Sequence, residues 1–176
     1  MMEKQRINRK PKQKNGVSFV FALVSLFFFV SCGEQEAYFK YAELKDAQWF
    51  QNDTLHFVVD SADVEIGVPY DITLEITNNA DYDYRNIWLF VRDEMSQHGD
   101  SLSFVNKDYV LADEQGRWYG DGFGSLYQVS LPYARSIIFT DRRTHTISIM
   151  QGMRDEPLAG IERIGIRIVK SSTNKK

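Results

Sequence analysis

The stretch YDITLEI, Tyr70 to Ile76, puts Tyr70, Ile72, Leu74 and Ile76 on one side of an extended chain and Asp71, Thr73 and Glu75 on the other. Residues two apart share a face only in a strand, because in a helix they point to opposite sides. The same period runs through LHFVV (Leu55 to Val59), which aligns Leu55, Phe57 and Val59, and through RIGIRIV (Arg163 to Val169), which aligns Ile164, Ile166 and Ile168. Less regular strands are expected at NIWLFVR (Asn86 to Arg92), SLSFV (Ser101 to Val105), YVLA (Tyr109 to Ala112), LYQVSL (Leu126 to Leu131), IIFT (Ile137 to Thr140) and HTISIM (His145 to Met150). All are rich in β-branched and aromatic residues. Between them lie NNADYD, DEQG, YGDGFG and DEPLAG, where Gly and Asn supply positive φ and Asp caps local turns. Many short strands without a long helical pattern predict an all-β fold, an antiparallel β-sandwich of jelly-roll or Ig-like type. The segment QGMRDEPLAG is expected to add one helical turn before the last strand.

The N-terminus follows a different rule. Lys4, Arg6, Arg9, Lys10, Lys12 and Lys14 precede VSFVFALVSLFFFV, Val17 to Val30, fourteen residues without a charge. A spanning helix needs about 20 apolar residues. A basic segment followed by a shorter apolar run is the pattern of a secretory signal. Phe29, Val30 and Ser31 before Cys32, with Gly33 after it, look like a bacterial lipobox, in which the cysteine becomes the acylated first residue of the mature chain. The expected organisation is a lipoprotein signal peptide over 1–31, a tether over 32–48 in which AYFKYAELKDAQWF begins a short amphipathic helix or a strand approaching the domain, a sandwich domain over 49–171 and a polar tail over 172–176. Gly33 stands where an aspartate would favour inner-membrane retention, so outer-membrane sorting is expected. Cys32 is the only cysteine, which excludes an intramolecular disulfide.

Without the first 31 residues the chain keeps 15 basic and 23 acidic residues, a net charge of −8. That balance excludes a phosphate-tracking nucleic-acid binder. It also disfavours electrostatic adhesion to anionic lipid, so acyl chains must hold the protein to its membrane. The remaining length suits one domain able to bury about two-thirds of its unfolded surface.

Catalytic patterns are absent from the sequence. His56, His98 and His145 are far apart and fall in no HExxH, and no GxSxG occurs. Asp81 and Asp83 in NNADYDYRN have a spacing seen in calcium loops but lack the Gly and Glu of an EF-hand, so a surface turn explains them. No metal, cofactor or small-molecule substrate is expected, and the chain is not expected to be an enzyme. The loop GRWYGDGFGS, Gly116 to Ser125, is the most unusual composition in the exported part. Trp118, Tyr119 and Phe123 there form an interaction platform, or else Trp118 plugs the end of the sandwich while the glycines let the chain bend. Trp88 is a further exposed aromatic candidate. Asp53-Thr54-Leu55, Asp60-Ser61-Ala62 and Asp100-Ser101-Leu102 resemble a bacterial Asp-Ser/Thr-apolar O-glycosylation signal, which makes Thr54, Ser61 and Ser101 candidate acceptors.

Taken in order, QWFQNDTLHF, YDITLEITNNADYDYRNIWLFV, YVLADEQGRWYGDGFGSLYQVSLPY and ISIMQGMRDEPLAGIERIGIRIVK resemble the gliding motility lipoprotein GldH family. The resemblance runs from about Trp49 to Lys170. It implies an outer-membrane lipoprotein needed for surface gliding and for the linked type nine protein secretion machinery, with envelope proteins as partners and only Cys32 carried over as a modified site. The family implies no catalytic residue, and relatives also occur in bacteria that do not glide. The alternative from the residues themselves is a glycan-binding surface lipoprotein that uses the aromatic loop.

Overall fold

The structure, a computed structural model, describes residues 36–95 and 103–172. Among these residues eleven strands follow in chain order: β1 (Glu36–Glu43), β2 (Gln48–Trp49), β3 (Leu55–Val59), β4 (Pro69–Asn78), β5 (Asn86–Asp93), β6 (Val105–Val110), β7 (Asp121–Phe123), β8 (Leu126–Ile138), β9 (His145–Gln151), β10 (Leu158–Ala159) and β11 (Ile161–Lys170). They form a five-stranded sheet of order β1-β11-β4-β8-β7 and a four-stranded sheet of order β3-β9-β5-β6, with a short β10-β2 ribbon beside them. Every ladder is antiparallel.

The alternation decides what lies between the sheets. Ile72, Leu74 and Ile76 of β4 stand beside Ile168, Ile166 and Ile164 of β11 across the ladder, and all six are buried. They belong to one apolar cluster with Phe57, Val59, Ile87, Leu89, Val91, Ile147 and Ile149 from the other sheet. Burying each such side chain contributes about 1.5–3 kcal/mol, which makes this two-layer core the main stabilising element. Trp49 is fully buried at the ribbon, and its indole N–H donates to the Asp53 carbonyl at 2.8 Å. The fold is therefore the antiparallel sandwich expected from the alternation.

Local differences from the expectation have physical reasons. Sheet structure begins at Glu36, inside the segment expected to be a tether. β1 pairs along its length with β11, with Tyr38 turned into the core and Phe39 and Tyr41 on the outer face. IIFT does not form a separate strand. Its first two residues end the long β8, which continues through register shifts opposite Tyr70 to Thr73. Asp71 stabilises that irregular stretch by accepting the Ser136 N–H at 2.9 Å, where Ser136 has φ 53. Of the described residues of SLSFV, 103–105, only Val105 lies in a strand, and of YVLA only Tyr109 and Val110 do, while Ala112 bridges to Trp118. The helical turn expected in QGMRDEPLAG is absent. Leu158 and Ala159 pair instead with Trp49 and Gln48, and Leu158 is buried there.

Candidate functional site

The solvent-side face of the five-stranded sheet carries a polar array where exposed side chains were expected. Glu75, placed outward by the alternation, is fully buried. Its carboxylate accepts from Arg167 Nε at 2.9 Å, Ser130 Oγ at 2.6 Å and Thr73 Oγ1 at 3.2 Å. The cover comes from β1. The Arg167 guanidinium lies 3.8 Å from the Phe39 ring centroid, and that of Arg163 lies 4.5 Å from the Tyr41 centroid. Tyr41 packs over Gly165, where an added Cβ would come within 2.6 Å of its ring. Burial works against the Arg167 charge, but the bond to Glu75 and the charges of Glu75 and Glu36 outweigh it and raise its pKa further. Burial, then the charge of Glu75, pushes the Tyr41 hydroxyl pKa up against the two arginines.

The glycine-rich loop completes the same face at one end of the sheet. Phe123 and Leu126 close a two-residue hairpin on Gly124 and Ser125, and Gly124 supplies the positive φ of 63 that such a turn requires. Gly120 sits against β8 so closely that a Cβ would stand 2.4 Å from the Gln128 carbonyl oxygen. Alternation then divides the aromatics. Trp118 turns inward, half-buried, with its ring 5.8 Å from Tyr127 and 6.2 Å from Tyr82. Tyr119 and Phe123 turn outward, 61% and 89% exposed. They rim a groove of about 550 Å3 lined by Thr77, Asp121, Gln128, Ser130 and Arg163. On its floor Arg163 Nε donates to Thr77 Oγ1 at 3.1 Å and a second Arg163 nitrogen donates to Gln128 Oε1 at 3.4 Å, with no carboxylate partner among the described residues.

The other candidates lie elsewhere. Trp88, 43% exposed, is on the outer face of the four-stranded sheet, beside a hollow of about 410 Å3 shared with Tyr84, Gly152 and Met153. Thr54 lies just before β3 and Ser61 in the turn after it, where the Ser61 hydroxyl donates to Asp60 at 3.4 Å. Cys32, Ser101 and His98 lie outside the described residues. His56 is exposed and bonded to Ser148, whereas His145 is buried against Phe139. Among the described residues no three His, Cys, Asp or Glu side chains converge on a metal-sized site, and no helix is long and apolar enough to cross a membrane. What the site residues offer is non-covalent recognition: exposed rings beside a polar floor. The Glu75 array was missed from the sequence because its cover, β1, was expected to be tether.

Comparison with known proteins agrees with this architecture. The family model described as GldH lipoprotein matches residues 36–168, from the first strand almost to the end of the last. The chain is also similar to a protein of Christiangramia forsetii named as a gliding motility lipoprotein GldH homolog. The two are 29% identical over 160 residues, which cover 87% of this chain and 94% of the relative.

Proposed function

The chain belongs to the GldH lipoprotein family, and from that premise we propose that it is a non-enzymatic component or accessory of gliding motility and of the type nine protein secretion machinery linked to it. The observation that carries this is the span of the family match, which takes in both sheets, the Glu75 array and the aromatic hairpin. Anchorage is assigned to an acylated Cys32 in the outer membrane, on the basic and apolar segments before it and Gly33 after it. Each buried methylene of an acyl chain contributes about 0.8 kcal/mol, so two or three chains hold a domain that electrostatics would not. Contact with envelope partners falls to Trp88, the exposed ring on the outer face of the four-stranded sheet, since such rings dominate interface energetics.

The test is capture of the native lipoprotein in detergent beside a Cys32→Ser form, with mass spectrometry of what comes with it. Gliding or secretion components with the wild type and not with the unanchored form support the proposal and give Cys32 a positioning role. Capture of no such component by either form sinks it.

A further inference from the structure

We propose that the groove between the β7–β8 hairpin and the outer face of the five-stranded sheet binds a neutral saccharide, its C–H face on Tyr119 and Phe123 and its hydroxyls on Asp121, Gln128 and Arg163. The groove, at about 550 Å3, falls in the range of about 300–1,000 Å3 typical of small-ligand sites. Its chemistry is two-sided. The rim is aromatic and exposed at Tyr119 and Phe123, whereas the floor is built from polar side chains of three neighbouring strands. An apolar ligand would strip water from Arg163 and Gln128 without replacing those bonds. A fully polar ligand would leave the Phe123 ring in water. A pyranose has one face of C–H groups and an equator of hydroxyls, and it satisfies both.

The floor groups have the right capacity. Arg163 has guanidinium N–H groups left over after its bonds to Thr77 and Gln128, and the Gln128 amide N–H2 has no acceptor among the described residues. Asp121 is exposed with no partner among them. Planar donors and a carboxylate acceptor are the groups that engage adjacent hydroxyls in pairs. The groove does not stop at Arg163. A second hollow of about 270 Å3 shares Thr77, Leu126 and Arg163 with it and continues to Glu43 and Glu162. The site is therefore long enough for more than one sugar residue. Asp121, Glu43 and Glu162 line the two hollows with Arg163 as the one basic side chain among their lining residues, and that excess of negative charge selects against uronic-acid, sulfated or phosphorylated chains.

Native full-length lipoprotein is to be titrated by calorimetry in lauryldimethylamine oxide, a detergent without a sugar headgroup, against cellohexaose, laminarihexaose, chitohexaose and, as the acidic probe, hexagalacturonate. Saturable binding of at least one neutral hexasaccharide is expected, weakened at least fivefold by Phe123→Ala and by Asp121→Ala and unchanged by Val58→Ala on the other sheet. Phe123 and Asp121 are both exposed, so these variants keep the fold, which circular dichroism checks. Binding of none of the neutral probes overturns the proposal, as does binding that survives Phe123→Ala or is confined to hexagalacturonate. Loss of a co-captured envelope protein on Phe123→Ala, with no saccharide bound, assigns the rim to a protein partner and likewise overturns it. The partner-capture experiment above reads a different variant and a different signal, so either proposal can fail alone.

Discussion

Replacing Arg167 by Met tests the reasoning about the buried carboxylate most directly. Methionine keeps an apolar stem but removes the guanidinium that stacks on Phe39 and is, among the described residues, the cation bonded to Glu75, whose remaining partners there are the hydroxyls of Ser130 and Thr73. Removing one partner of a fully buried pair costs about 3–5 kcal/mol. Arg167 itself is 32% exposed, so solvent screens part of that loss and about 2–3 kcal/mol is expected. With a urea slope of about 2 kcal/mol per molar for a domain of this size, the unfolding midpoint should fall by about 1–1.5 M. Glu36→Gln removes only the exposed partner of the same arginine and should cost under about 0.5 kcal/mol. The double variant Arg167→Met/Glu75→Gln no longer carries a buried charge. It should be more stable than Arg167→Met alone, giving a coupling of at least about 1.5 kcal/mol in the cycle. Additive single costs, or an Arg167→Met cost below about 1 kcal/mol, would refute the claim that Glu75 depends on Arg167.

Tyr38→Phe should stabilise the protein by about 1 kcal/mol in urea, because the Tyr38 hydroxyl is buried with no hydrogen-bond partner among the described residues. Burial, then the charge of Asp63, pushes its pKa up to about 12, above the ordinary value of 10.0. The protonated form is thus favoured on folding. That contribution is complete below pH 10 and is lost as pH rises toward 12, so wild type should lose more stability than the variant across this window. Gly120→Ala should cost about 1–3 kcal/mol and speed proteolytic cleavage within 119–125, because the new methyl meets the Gln128 backbone. Glycosylation at Thr54, Ser61 or Ser101 predicts a native intact mass above that of the lipidated polypeptide, and equality of the two removes it.

The sandwich was legible wherever one face of a strand met the core and the other met water. β3, β4 and β11 announce themselves in this way, because Leu55, Phe57 and Val59, then Ile72, Leu74 and Ile76, then Ile164, Ile166 and Ile168 recur at every second position. β1 was legible only as a helix or a strand, because both of its faces carry aromatics, Tyr38 toward the core and Phe39 and Tyr41 over the arginines. β2, β7 and β10 are two or three residues long and carry no period to detect. The aromatic loop stood out in composition, and its division into inward Trp118 and outward Tyr119 follows from alternation once Ala112 and Trp118 are paired. The groove floor was not legible. Thr77, Gln128 and Arg163 become neighbours only through the strand order β11-β4-β8, which local pattern does not encode.

The ladder between β1 and β11 joins residues 36–43 to residues 163–169, nearly the two ends of the described chain. Closing so long a loop must precede the reward of the contacts it allows, which slows folding and makes it depend on the last strand. A chain emerging from the ribosome therefore cannot finish its larger sheet until β11 is made. The first strand to be made, β1, has β11 as its neighbour in the sheet, so it stays unpaired there until β11 arrives beside it.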